Sequence, residues 1–333
     1  MFIGHISTTD FYILPYVSKN CNFLIKKSKI YFSVFIFFRS VDEFPFFCYN
    51  TLIMNTLLQK SRIFNGNTLK IIAMLLMVVD HFGYFIVPCL PGFTLTALPT
   101  FAGMLTATLS PTDTLYLATR LIGRLAFPLF AFFLAEGCRY TKDKLKHFLL
   151  LFSAGVLMAF VVWQVDKSEM NVFVTFSFSV ATIYALQYFK KCLFSDGSAF
   201  DTVLAMAAFA SSVLFCWFFT NAYQVDYGFW GAMLPVFLSL FDFRGIEGVP
   251  AWLSRLDRHT VKLLCLCVGL FFLSENIPAF GELQYCSYLS VPLLLLYNGK
   301  KGKLSMKYFF YIFYPAHVLV LLGLQSVVLF LLH

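Results

Sequence analysis

From residue 69 onward the chain alternates long apolar runs with short polar breaks. Nine runs stand out, at residues 69–90, 118–137, 145–165, 171–190, 201–220, 226–242, 260–275, 281–297 and 306–331. About 20 apolar residues cross a bilayer as a helix. Lipid offers the backbone no hydrogen-bond partner, so runs of this length must satisfy their amides internally. The pattern therefore predicts an all-α fold: a polytopic integral membrane helical bundle of about nine transmembrane helices. Residues 91–117 break the pattern. They are rich in Pro, Thr and Gly and are expected to form a re-entrant or interfacial piece.

The polar breaks carry an alternating charge signature. Basic breaks contain Lys60, Arg62 and Lys70; Arg139, Lys142, Lys144 and Lys146, against one Asp; Lys190 and Lys191, which offset Asp196 and Asp201; Arg244, Arg255, Arg258 and Lys262, offset by three acids; and Lys300, Lys301, Lys303 and Lys307. The intervening breaks hold Asp113; then Asp166, Lys167 and Glu169; then Asp226; then Glu275 and Glu282. Lys and Arg stay on the cytoplasmic side of bacterial inner membranes. The alternation thus starts the first span in the cytoplasm and ends the chain outside.

Composition agrees. The chain has 333 residues, 59% hydrophobic and 13% charged, with a mean hydropathy of +0.77. Soluble domains are about a quarter charged. The net charge of +8 is explained by topology, so no nucleic-acid partner is expected; membrane lipid is. The nine cysteines are scattered without a C-x-x-C pair, which supports buried thiols rather than a zinc site or a disulfide framework. Residues 1–60 fit poorly with the rest. Their best apolar run, Ile30 to Phe38, is nine residues, too short to span. Met54 just precedes the basic lead-in to the first run. The expectation is that residues 1–60 form an N-terminal extension, with translation starting at Met54, and that residues 61–333 form the transmembrane domain.

The chemistry lies where charge interrupts the apolar runs. Asp80 and His81 sit inside "MLLMVVDHFGYF"; Arg120 and Arg124 open "RLIGRLAFPLFAFFLAEGCRY", with Glu136 and Arg139 at its cytoplasmic end. Asp226 and Tyr227 begin "DYGFWG", and the last run holds Tyr314 and His317 in "YPAH". An ion at the bilayer centre costs about 2.5–3.5 kcal/mol on insertion scales, so such groups face the bundle interior, pair with one another and mark functional sites. Arg120 and Arg124, four apart, share a helix face. Adjacent helical residues point about 100° apart, so Asp80 is expected to pair with Arg120 or Arg124 while His81 points into a cavity. Pro128 and Pro315 each free a carbonyl one turn earlier, beside these groups. Structural roles are also open: an architectural Asp–Arg pair, a core histidine at His317, and a helix-end ion pair between Glu136 and Arg139.

"LKIIAMLLMVVDHFGYF" followed by "RLIGRLAFPLFAFFLAEGCRYTKDK" resembles the TraX family of membrane pilin acetylases. "NVFVTFSFSVATIYAL", "DYGFWGAMLPVFL" and "YPAH" follow in the same order. The resemblance covers about Leu69 to Leu332. It implies, in turn, similarity to the acyltransferase type 3 superfamily, in which His81 would be the catalytic histidine. It also implies transfer of an acetyl group from acetyl-CoA, as co-substrate, to an amine or hydroxyl acceptor such as a pilin N-terminus or another envelope molecule. Within that frame His81, Asp80 and Arg124 are the expected catalytic residues. Arg120, Glu136, Arg139, Asp226, Tyr227, Tyr314 and His317 are the expected substrate-binding residues. Neutral His81 suits a general base near pH 7. Arg120 or Arg124 suits an oxyanion or the donor's phosphates. No metal constellation is visible.

Two other classes compete. Intramembrane charges and Pro-broken helices also mark transporters, although no second Asp-His or "GRxAFP" recurs in the later spans. A non-catalytic membrane assembly factor would use the charges only to hold its helices together.

Overall fold

The computed structural model describes residues 62–332 apart from 97, 107, 164–170, 196, 224, 304–305 and 307–308. The expectations for the N-terminal extension and for Met54 lie outside the described residues, as do Asp166, Lys167 and Glu169. Among the described residues there are twelve α-helices, two 3₁₀ segments and no strand, only an isolated bridge between Phe64 and Tyr297. In order the helices are α1 Gly66–Phe85, α2 Phe101–Thr106, α3 Pro111–Gly123, α4 Ala126–Tyr140, α5 Lys144–Trp163, α6 Val172–Phe194 and α7 Ala199–Ala222. There follow α8 Gly228–Leu238, α9 Ala251–Ser254, α10 His259–Asn276, α11 Ser290–Leu295 and α12 Phe309–Leu332. The 3₁₀ segments are Val87–Cys89 and Pro278–Leu289.

Six stretches among the described residues are long and apolar enough to cross a membrane: Gly66–Cys89, Pro111–Tyr140, Val172–Phe194, Ala199–Ala222, His259–Asn276 and Phe309–Leu332. The protein is thus a multi-pass, all-helical membrane protein. Each of the nine predicted runs contains a helix, but length does not support nine full spans. Helix α8 has 11 residues, about 16 Å at 1.5 Å per residue, against an apolar thickness of about 30 Å. The run at 281–297 is a 3₁₀ segment with non-helical Gly281 inside it, followed by the six-residue α11. Apolar content was read correctly there; helix geometry was not, because Gly281 leaves helical φ/ψ and Pro292 removes a backbone donor. Of residues 91–117, those described up to Ser110 form an irregular segment around the short α2, and the rest open α3. The Asp113 carboxylate holds it by accepting from the Thr94 and Leu95 amides and from the Thr94 hydroxyl.

Helix α4 lies at the centre. Phe127, Leu129, Ala131, Phe132 and Ala135 are buried along it, and they join one core with residues from α1, α6, α8, α10 and α12. Helices α7 and α12 lie at the periphery: only 11% and 17% of their most apolar stretches are buried, against 61% for the α3–α4 pair. Phe200, Leu214, Phe215 and Phe218 of α7 and Val320, Phe330 and Leu331 of α12 are exposed, which is the face a lipid-contacting helix presents. At the lysine-rich end, residues 62–67 are zipped to the chain after α11. Phe64 donates to the Leu296 carbonyl at 3.0 Å and Gly66 to that of Lys300 at 2.8 Å.

Pro128 sits in the first turn of α4, and the chain breaks between Gly123 and Ala126, one turn ahead of it. Arg124 is at this break. Pro315, by contrast, lies inside α12, which runs unbroken from Phe309 to Leu332.

Helices α1 and α3 cross in direct contact, and two glycines permit it. A Cβ at Gly83 would lie 2.1 Å from the Thr119 hydroxyl oxygen, and one at Gly123 would lie 2.2 Å from an Asp80 carboxylate oxygen. Gly123→Ala therefore forces Asp80 away from its partners. The expected result is a loss of about 1–3 kcal/mol of stability, measured as a lower thermal midpoint in detergent; an unchanged midpoint would show that the helices separate at no cost.

Candidate functional site

The α1–α3 crossing delivers Asp80 to two guanidinium groups. Arg120 Nη1 lies 2.6 Å from Asp80 Oδ2, and Arg124 Nη2 lies 2.7 Å from Oδ1 and 2.9 Å from Oδ2. All three residues are buried: Asp80 is 8% exposed, Arg120 7% and Arg124 2%. The break before α4 turns Arg124 back, so that its Nε also donates to the Arg120 carbonyl at 3.2 Å. Sequence reasoning expected one arginine partner for Asp80; the structure supplies both. One carboxylate facing two guanidiniums leaves the cluster with a net positive charge. Aromatic rings flank it, Tyr84 at 5.3 Å from the Arg120 guanidinium carbon and Tyr227 at 5.9 Å from that of Arg124.

His81 points away from its neighbour Asp80, as the 100° offset requires. Its Nδ1 lies 2.8 Å from His317 Nε2, and its ring lies edge-on to Tyr314 at 6.1 Å. The interior chamber has a volume of about 170 Å³. Asp80, His81, Arg120, Arg124, Asp226, Tyr227 and Tyr314 all line it. Elements far apart in sequence thus meet here: α1, α3, the start of α8 and α12. Tyr227 adopts a left-handed backbone at φ +61°, which costs a non-glycine residue about 1 kcal/mol or more. The surroundings hold it there. Its ring stacks on Phe127 with centroids 3.8 Å apart, and the Asp226 carbonyl accepts from Thr175 Oγ1 at 2.6 Å.

A second, larger cavity of about 910 Å³ adjoins the first. Met77, Phe130, Val172 and Tyr314 wall both. At its other end lie Lys70, Lys142, Lys146, His147 and Lys301, together with Glu136 and Asp143. The wall is also aromatic, with Phe133, Phe173 and Phe313. Sequence reasoning used Lys70 and Lys301 only as topology markers and placed Lys142 and Lys146 on the cytoplasmic side, where acetyl-CoA is available. Their convergence on one cavity depends on the zipper between residues 62–67 and 296–301, which leaves no local signal.

Glu136 and Arg139 depart from their expected pairing. Glu136 accepts from Lys262 Nζ of α10 at 2.6 Å. Arg139 makes a two-pronged contact with Asp257, at 2.6 and 2.8 Å, and lies 3.5 Å from Asp242. Although three apart on one helix, the two residues are drawn to partners on other segments. Glu136 lines the larger cavity, whereas Arg139 belongs to an ion-pair cluster that fastens α4 to the 242–257 segment. Lys190 supports the same region by donating to the Ser239 and Asp242 carbonyls at 2.7 and 3.1 Å. Among the described residues, no group of three or more His, Cys, Asp or Glu is placed to hold a metal ion.

Removing Asp80 leaves two buried guanidiniums without their carboxylate. Breaking a buried ion pair costs about 3–5 kcal/mol. Asp80→Ala is therefore expected to lower the unfolding midpoint in detergent, or membrane abundance, more than Arg139→Ala, because it strands two guanidiniums that are more deeply buried than that of Arg139. Equal effects would mean that solvent already screens the interior cluster.

Comparison with known proteins completes the description. No solved structure matches the chain. A curated relative, "Probable fimbrial assembly protein FimC, serogroup H1" from Dichelobacter nodosus, is 24% identical over 220 residues, which cover 62% of this chain and 82% of that one. The family model described as "TraX protein" matches residues 65–325, a span that contains both cavities and the whole interior cluster. On that match the chain belongs to the TraX family.

Proposed function

We propose that this protein is an integral membrane acyltransferase that moves an acetyl group from acetyl-CoA to an amine or hydroxyl acceptor, with a pilin or fimbrial subunit N-terminus as the acceptor class. The observation that carries this reading is the pair of adjoining cavities, one with a lysine-rich mouth and the other holding an imidazole beside paired guanidiniums. The larger volume lies at the upper end of the roughly 300–1,000 Å³ usual for small-molecule sites. Its cationic mouth suits the donor's phosphates and its aromatic wall suits the donor's narrow arm. The thioester then arrives in the small chamber. Family membership and the fimbrial assembly relative support an envelope acceptor.

In this mechanism the acceptor's nitrogen or oxygen attacks the thioester carbonyl carbon. His81 takes the proton from the attacking group as the C–N or C–O bond forms. The cluster's net positive charge, carried by Arg120 and Arg124 against Asp80, stabilises the oxyanion; a preorganised donor of this kind is worth about 10²–10³ in rate. The C–S bond then breaks, and the leaving thiolate recovers the proton from His81. Asp80 holds the guanidiniums in place rather than touching the reacting atoms. Tyr227 and Asp226 border the chamber on the side away from the lysines and shape the acceptor subsite. The protein sits in the bacterial inner membrane, with the start of the first span and the lysine-rich mouth in the cytoplasm, where acetyl-CoA is made.

Purified protein given radiolabelled acetyl-CoA and a fimbrial subunit peptide tests the reading. Label should transfer to the peptide, and His81→Ala should abolish transfer, a loss of at least about 10²-fold for a general base, at normal membrane abundance. Retained transfer would remove His81 from the mechanism, and solute flux without donor would favour a transporter. Separately, Lys142→Ala and Lys301→Ala should each raise KM for acetyl-CoA about tenfold or more, since a hydrogen bond to a charged group contributes about 1.5 kcal/mol or more. Neither should change kcat. An unchanged KM in both would place the donor elsewhere.

A further inference from the structure

We propose that His317 is a positioning residue that fixes the tautomer of His81, leaving Nε2 of His81 as the proton-accepting atom. The inference rests on the reading of His81 as the base and adds what prepares it.

His317 Nδ1 lies 3.0 Å from the Phe313 carbonyl oxygen, one turn back on α12. A carbonyl only accepts, so Nδ1 carries the hydrogen and donates it. A neutral imidazole has one N–H, so His317 Nε2 is left bare. That nitrogen lies 2.8 Å from His81 Nδ1, a distance that requires one proton between them. With His317 Nε2 accepting, the proton sits on His81 Nδ1. Neutral His81 then has its free lone pair at Nε2. Carbonyl, His317 and His81 thus form a directed chain in which each hydrogen bond sets the next.

The rings are also held in orientation. Phe313 stacks on His317 at 5.2 Å and 13°, and Phe85 stacks on His81 at 6.0 Å and 27°. Tyr314 meets both histidines edge-on, at 6.1 and 5.5 Å. His317 is 8% exposed, and it does not line the small chamber with His81. Sequence reasoning placed it among substrate-binding residues; the geometry points to a role through His81 instead. The proton balance follows. The acceptor's proton goes to His81 Nε2 and returns to the leaving sulfur, while the proton between the two rings stays on His81 Nδ1 and the one on His317 Nδ1 stays there, donated to the Phe313 carbonyl. The His81 cation formed midway keeps donating to His317, so its ring does not turn.

Glutamine offers a side-chain oxygen near the position of the histidine Nε2, and so accepts from His81 as His317 does. Alanine and leucine do not. The test compares His317→Gln, His317→Ala and His317→Leu in the full-length protein with the labelled-donor assay. The expected result is a fall in kcat of about 10²-fold or more for Ala and Leu, recovery to within about tenfold of wild type for Gln, and an unchanged KM for acetyl-CoA in all three. Adding His317→Leu to His81→Ala should cause no further loss. Full activity of the Ala and Leu variants beside an inactive His81→Ala overturns the positioning role and leaves the acyltransferase reading intact. An active His81→Ala overturns the underlying reading instead. A Gln variant as inactive as Leu at normal abundance, or loss of the Ala and Leu variants from the membrane, assigns His317 to packing and overturns the proposal.

Discussion

The structure turns on a carboxylate held between two guanidiniums in a low-dielectric interior. A buried charge without a counter-ion is far more costly than any single apolar contact is favourable. Asp80, Arg120 and Arg124 must therefore come together or the bundle does not close. Their meeting dictates how near α1 and α3 approach, which is why Gly83 and Gly123 face Thr119 and Asp80 with no room for a Cβ. It also dictates the break ahead of α4, since Arg124 reaches Asp80 and the Arg120 carbonyl from the turn between two helices.

Once that cluster is fixed, the rest of the chamber follows by packing. Helix α4 continues from the break into the densest part of the core, and its Phe127 supports Tyr227 at the start of α8. Helix α12 leans on α1 through the His81–His317 contact. Tyr314 contributes to the walls of both cavities. The peripheral α7 adds apolar surface toward lipid and nothing to the chamber. Polar groups are thus concentrated where several helices exclude lipid, the condition under which a membrane interior tolerates them.

The arrangement separates two tasks by position. Under the proposed function, the cationic opening among residues of the loops after α4 and α11 meets the anionic donor. The chamber beyond it is small and bears a net positive cluster beside an imidazole. In such a space, electrostatic effects on a developing oxyanion exceed those in water. Arg139, by contrast, pairs with Asp257 and Asp242, so it serves the scaffold although its sequence neighbour Glu136 lines the cavity.

Periodicity and composition alone were enough to establish a helical membrane protein, because apolar runs of this length admit no other backbone solution. They also marked Asp80, His81, Arg120 and Arg124, because charge within such runs is too costly to be incidental. The bidentate logic of one aspartate with two arginines, however, depends on how closely α1 and α3 cross, and that distance is set by side chains on both helices. Spacing likewise suggested Glu136 with Arg139, but Lys262 and Asp257, more than a hundred residues away, offered each a partner of opposite charge. The shortened α8 and the 3₁₀ segment at 278–289 read as spans because hydropathy records what a residue prefers as solvent and not whether glycine and proline let the helix continue. The link between His81 and His317 joins positions 236 residues apart. No local pattern encodes such a contact; it exists only once the first and last helices lie side by side.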